Sequence, residues 1–256
     1  MERLMPGRPV SPLAIGGIVM ATGLAGMVIG HAWGKGLRWG ELISDVASSV
    51  GAELVAVSVT VLLIDRLADR REMVRLRQQL VREASSTDHG LALRAVMELD
   101  ARGFLADGAL VGARIGAANL HGIVLEGQDL HGSDLAGANL HRANLSRSNL
   151  RGCNLNGCDL SEAVIEMADL RGAHLQDARI DHADMAHALL RDTDLSGAGL
   201  AHSDLTEADL RGARLRGADL TGSVLDGIRL DISTTWDATT RWPEGFSPGP
   251  VVVDED

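Results

Sequence analysis

Apolar side chains recur at every fifth position from Leu105 to Leu230, and the register never slips. Of these twenty-six positions twenty-two are Leu, and the others are Ile115, Ile165, Ile180 and Met185. Two residues before each stands something small, most often Ala, with Ser133, Cys153, Cys158 and Thr193 among the substitutes. The residue just before is Asp or Asn at fourteen of them. A helix turns about 100° per residue and would smear such a series around its circumference. A strand alternates faces, so an odd step would send every second leucine into water. Each unit is therefore a short extended piece followed by a turn that re-aims the chain. Four such units close one coil, and the leucines and small residues of stacked coils share a buried axis. Glycines two residues after the leucine, as at Gly112, Gly122 and Gly197, suit corners that need positive φ.

Two apolar runs precede the repeat. Val10 to Gly34 contains no Lys, Arg, Asp or Glu. Its heart, Leu13 to Trp33, has the roughly 20 residues needed to span a bilayer, and Gly26 and Gly30 are spaced as in closely packed membrane helices. A polar link, Gly34 to Asp45, leads to the second run, Val46 to Ile64, which contains one acid, Glu53. Arg66, Arg70, Arg71, Arg75, Arg77 and Arg82 follow, and the positive-inside rule puts that end in the cytoplasm. The pattern predicts a transmembrane hairpin over 1–64, with helices at about 12–33 and 46–66 and both termini cytoplasmic. A cleaved signal peptide is the rival for the first run, and a buried soluble hairpin for the pair. Within a span Glu53 is a candidate intramembrane polar site, for proton coupling or for fixing an oligomer. The blander reading is an interfacial acid hydrogen-bonded by Ser48 or Ser49.

Residues 65–102 read as cytoplasmic linker and N-capping helices. Leu67, Val74 and Val81 recur every seven, with Leu76 and Leu80 alongside, a short coiled-coil or membrane-surface stripe. Ser85-Ser86-Thr87-Asp88 breaks that helix and offers N-caps for a second, running to about Arg102 and carrying Leu91, Leu93, Val96, Met97 and Leu99. A stacked coil leaves an open edge that must be covered, and this second helix is the expected lid. The β-helix then occupies 103–230. Residues 231–256 hold Trp236, Trp242 and Phe246, expected to cap the last coil, and an acidic tail.

The units Ala138-Asn139-Leu140, Ala143-Asn144-Leu145, Ala168-Asp169-Leu170, Ala208-Asp209-Leu210 and Ala218-Asp219-Leu220 resemble the A-(D/N)-L-x-x signature of the pentapeptide-repeat family. The resemblance covers about half the chain and implies an all-β right-handed quadrilateral β-helix, here preceded by an α-helical transmembrane hairpin and linker helices. It implies little about function, since members have diverse roles. The run from Ala52-Glu53-Leu54 to Asp65-Arg66-Leu67, with Gly103-Phe104-Leu105, resembles bacterial membrane-linked pentapeptide-repeat proteins, and Glu53 would belong to that motif. Arg241-Trp242-Pro243-Glu244-Gly245-Phe246 resembles the endings of such proteins.

Charge narrows the partners. The formal net charge is −11, and residues 105–230 carry 11 basic and 18 acidic side chains with no lysine. Phosphate affinity needs clustered cations, so nucleic acid is not expected as a ligand. Aromatic residues are 2% of the chain and Tyr is absent, as a leucine-filled coil permits. Cys153 and Cys158 fall at the small inward position and read as core filler, not as a disulfide or metal site.

Outward residues twenty apart should stack as columns. Arg151, Arg171, Arg191 and Arg211 form one, the candidate interaction site. Asp169 and Asp209 can neutralise them as structural ion pairs; the sharper reading is an anion-recognition strip for an acidic partner or lipid headgroups. His121 stacks over His141 and His182 over His202, but no inward carboxylate or thiol completes a metal set. Between Glu162 and Asp192 corner glycines become scarce and Val164, Met167 and Leu189 are outward, which suggests a bulge or a docking patch. No catalytic triad, phosphate loop or cleft carboxylate pair is present in the pattern, and a solid rod has no pocket. The chain therefore reads as a non-enzyme with no cofactor and no metal: a membrane-anchored scaffold whose cytoplasmic β-helix binds an unidentified protein, with membrane lipid, and with homo-oligomerisation through the transmembrane and linker helices as an option. The alternatives are a DNA-mimic modulator of a type II topoisomerase, suggested by the acidic coil, and a transport or channel accessory built on Glu53.

Overall fold

The computed structural model describes residues 39–248, with side chains from residue 57 onward. The chain divides into two units, Met1–Asp69 and Arg70–Asp256. The first predicted membrane helix, 12–33, and the acidic end of the tail lie outside the described residues.

Helix α1 runs without interruption over Trp39–Ala84. The helix expected from about residue 46 therefore starts earlier and runs on past 66. The segment taken for a polar link to Asp45 is helical from Trp39, because Glu41, Leu42 and Ile43 carry no helix breaker. Among the described residues no helix is long and apolar enough to cross a membrane. The side chains of residues 46–56, Glu53 among them, lie outside that set. What is described of the second apolar run is an exposed cluster: Val57, Val59, Leu62, Leu63 and Ile64 all face outward.

In the second unit, Leu80 and Ala84 at the end of α1 join the buried core, while Val74 of the seven-residue stripe is exposed; Leu67, in the first unit, is exposed too. Ser85 Oγ donates to the Arg82 carbonyl at 2.6 Å and closes the helix end. Asp88 then caps helix α2, His89–Ala101, its carboxylate accepting from the Leu91 N–H at 2.8 Å. The buried face of α2 is Ala92, Ala95, Val96 and Leu99. Leu91 and Met97, two of the larger apolar residues of this helix, are exposed, Met97 by 63%. The lid lies on the flat end of a coil, and alanines allow the closest approach there. The turn before α2 adds to the coil edge, the Ser86 carbonyl accepting from Asn119 N–H at 2.9 Å. The lid thus satisfies ladder groups as well as apolar ones.

From Ile115 on the chain winds as a four-sided β-helix. Parallel bridges join residues twenty apart, from Arg114 with Asp134 through Asp209 with Arg229. The leucine series from Leu105 to Leu220 is buried. Residues at the small inward position are buried beside it, and their polar atoms are used. Ser148, Ser203 and Ser223 hydroxyls donate to the carbonyls of Leu145, Ile180 and Leu200, each at 2.6 Å. Cys153 Sγ lies 3.0 Å from the Leu130 carbonyl, and burial pushes the Cys158 thiol up to about 12. Both cysteines are unpaired.

The corners use one backbone conformation whatever the residue. Gly152 and Gly172 have φ of 61° and 67°, and Glu162, Met167, His182 and His187 follow at 58–59°. The bulge expected between Glu162 and Asp192 is absent, because the ladder hydrogen bonds of the flanking coils hold these non-glycine residues in the left-handed region. The strain is about 1–2 kcal/mol per residue.

Beyond Leu230 the step lengthens. Arg214 bridges Thr235 and Asp219 bridges Arg241, offsets of 21 and 22 instead of twenty. Two six-residue units, 231–236 and 237–242, continue the coil. Thr234 and Thr240 fill the small inward position and donate to the Leu210 and Leu215 carbonyls at 3.1 and 2.8 Å. Trp236 and Trp242 take the leucine's place and meet edge to face at 5.9 Å, with Phe246 5.2 Å from Trp242.

Candidate interaction surface

Each side of the coil carries two outward columns, one residue before the leucine and one after it. On the side built on Leu130, Leu150, Leu170, Leu190 and Leu210, bridges align Asp129, Asn149, Asp169, Leu189 and Asp209. The companion column is His131, Arg151, Arg171, Arg191 and Arg211. The structure therefore stacks all four sequence-predicted arginines on one side.

Their partners alternate. Arg171 grips Asp169 with Nε and Nη2 at 2.8 and 2.6 Å, and Arg211 grips Asp209 at 2.7 and 2.6 Å. Hydrogen bonding from these guanidiniums holds both carboxyls below the ordinary carboxylate range, with burial opposing. Asp129 binds His131 at 2.9 Å. Arg151 and Arg191 have no such grip. The residues two before them are Asn149 and Leu189, and among the described residues neither arginine has an ion pair within 4.0 Å. They act on the neighbouring coils instead, Arg151 helping to lower Asp169 and Arg191 helping to lower Asp209.

The side built on Leu140, Leu160 and Ile180 holds a shallow groove of about 440 Å³, lined by His141, Asp159, Glu162, Arg179, Asp181 and His182 among others. This corrects the expectation of a rod with no concavity. Arg142 donates to Glu162 at 2.7 Å, and His141 Nε2 lies 3.9 Å from the same carboxylate. The Arg142 hydrogen bond is the main reason the Glu162 carboxyl lies below its usual range. His121 and His141 stack at 5.2 Å, His182 and His202 at 5.1 Å. His89 of α2 adds an edge contact to His121 at 5.8 Å, a neighbour that the period of five does not reveal. Ser161 Oγ donates to Asp159 at 2.6 Å, so the serine in the groove serves a carboxylate and is not held by a histidine base. Among the described residues no group of three or more His, Cys, Asp or Glu is arranged to hold a metal ion.

Val164, Met167 and Leu189 do not form one patch on one side. Leu189 stands in the column beside the arginines, Val164 on the neighbouring side, and Met167 at the corner between them; all three are exposed. Glu53 is part of α1, outside the described side chains.

The sequence profile of the family "Pentapeptide repeats" matches in overlapping stretches, 110–147, 138–177, 173–212 and 188–227. The matched stretches coincide with the square coil. The match spans residues 110–227, a little under half of the chain. Among solved pentapeptide-repeat structures, the chain is similar to HetL of the cyanobacterium Nostoc, a protein involved in heterocyst differentiation regulation. That match has 31% identity over 48% of this chain and 65% of that one, with a TM-score of 0.39. A second Nostoc pentapeptide-repeat protein, alr5209, matches with 38% identity over 37% of this chain and 77% of that one, TM-score 0.36. QnrB1, a plasmid-mediated fluoroquinolone resistance protein, matches with 19% identity over 50% of this chain and 84% of that one, TM-score 0.37. No curated protein matches the sequence.

Proposed function

We propose that this pentapeptide-repeat chain is a non-catalytic scaffold, anchored to a membrane through its N-terminal segments and presenting its β-helix on the cytoplasmic side for protein binding. The observation that carries the scaffold reading is the twenty-residue bridge register kept from Arg114 to Arg229. It fixes outward side chains in straight columns on a core that is filled with leucine, so the recognition elements are surface rows. The anchoring part rests on the exposed apolar residues Val57, Val59, Leu62, Leu63 and Ile64, followed by arginines at 66, 70, 71, 75, 77 and 82. An apolar helix surface ending in a basic collar suits the boundary of an anionic leaflet. Alkaline carbonate extraction of membranes holding the full chain tests anchoring; release into the supernatant would remove it. Proximity labelling from the C-terminal end, with and without residues 105–246, tests scaffolding, since a scaffold loses its labelled neighbours with the coil.

Modulation of a type II topoisomerase is a second reading, favoured by the excess of acids on the coil. The four-arginine column counts against it, because it interrupts a continuous anionic surface. Unchanged gyrase supercoiling in the presence of the full chain would dismiss it.

A further inference from the structure

We propose that the arginine side of the coil is a binding strip for an extended acidic peptide that carries one carboxylate on every third residue. The proposal rests on the scaffold reading above and names the chemistry of its partner.

The strip is selective because only alternate arginines are available. Arg171 and Arg211 are closed by Asp169 and Asp209. Arg151 and Arg191 stand two coils apart, about 10 Å at the inter-strand spacing, with a neutral Asn149 or Leu189 where the closing aspartate would be. Residues 149–211 of these two columns thus hold four arginines against two aspartates, a locally positive row on a coil with more acids than bases. A guanidinium offers a fork that fits a carboxylate. Asp169 and Asp209 show that geometry already realised on this surface.

The backbone of these coils cannot take part. Leu150 and Leu170 N–H donate to the next coil at 2.8 and 2.9 Å, and Asn149 and Leu189 N–H donate to the preceding coil at 2.9 Å. Strand addition is therefore closed, and recognition falls to side chains. A polyproline II peptide needs no backbone partner and repeats every three residues with a rise of about 3.1 Å each. Its third residues recur about every 9 Å on one side, close to the spacing of the two open arginines. Leu189, exposed beside Arg191, gives an apolar contact at that end, and the coil between the two open arginines carries the closed Asp169–Arg171 pair. An anionic membrane surface would respond to the net charge of the row and not to its spacing.

The test uses the full chain in non-ionic detergent and a fluorescent Glu-Pro-Pro repeat peptide, with a second peptide of equal composition whose glutamates are contiguous. The expected result is tighter binding of the spaced peptide, by about tenfold, and a loss of about tenfold in Arg151→Gln/Arg191→Gln. Arg142→Gln/Arg147→Gln removes the same charge elsewhere and should change binding less than threefold; thermal melting by circular dichroism confirms that both variants remain folded. Equal binding of the two peptides, equal losses in the two double variants, or binding only to vesicles containing anionic lipid overturns the strip. Coil-dependent proximity labelling that persists while both peptides are ignored overturns the strip and leaves the scaffold standing.

Discussion

Leu189 occupies the ladder position of Asp169 and Asp209, and the arginine two residues after it, Arg191, is left without the carboxylate fork that Arg171 and Arg211 possess. A single side chain thereby decides whether that guanidinium is held by its own coil or open to a partner. Leu189→Asp should close Arg191 in the same manner. Because an exposed ion pair is worth about 0.2–1 kcal/mol, urea unfolding should move only slightly toward greater stability. Binding of the spaced acidic peptide should fall with it.

Acid should loosen the coil late. Asp169 and Asp209 lie below the ordinary carboxylate range because of their arginines. Asp237, hydrogen-bonded by Thr239, is lowered to about 2. A carboxyl depressed in the folded state stabilises the fold above its unfolded pKa, and that contribution disappears as pH falls through the folded value. The melting temperature should therefore be level near neutrality and decline below about pH 4. Asp237→Asn should lower the neutral-pH melting temperature and flatten the decline between about pH 4 and 2.

At the corners, Met167 has φ of 58° and its side chain is exposed. Met167→Gly relieves strain of about 1–2 kcal/mol, less about 1 kcal/mol for the greater freedom of glycine in the unfolded chain. A small gain in unfolding free energy is expected. Gly197→Ala should do the reverse by more than about 1 kcal/mol, since φ there is 71° and the new Cβ would meet the Asp177 carboxylate. Equal melting temperatures for wild type and Gly197→Ala would contradict this account of the corners.

Thr235 has the one buried side-chain oxygen among the described residues that lacks a hydrogen-bond partner. Its backbone continues the ladder, donating to Ala213 O at 2.9 Å and accepting from Leu215 N–H at 2.7 Å. Thr235→Val keeps the shape and removes the unsatisfied hydroxyl, so a gain of about 1 kcal/mol is expected in urea unfolding.

The period of five made the coil legible, because no helix or strand can bury Leu105 through Leu220 at that spacing. It also aligned the four arginines. The same period hid the end of the coil: Trp236 and Trp242 continue the inward series, but each arrives after six residues, so a search for fives stops at Leu230. The polar character of residues 34–45 suggested a link, although Glu41, Leu42 and Ile43 are acceptable helix formers and α1 begins at Trp39. The apolar residues of the lid helix did not by themselves tell which face packs: Ala92 and Ala95 are buried with Val96 and Leu99, while the larger Leu91 and Met97 are exposed. Contacts between distant segments, such as His89 with His121, have no signature in local spacing.

Both ends of the ladder are finished by dissimilar means, α2 over the first coil and the paired tryptophans over the last. A parallel ladder left bare would accept the opposite end of a second copy, and that contact, being head to tail, would repeat without closing. The longer Trp236 and Trp242 steps take the final backbone out of register with a further twenty-residue turn. That change of pitch disfavours the stacking of another twenty-residue coil on this end.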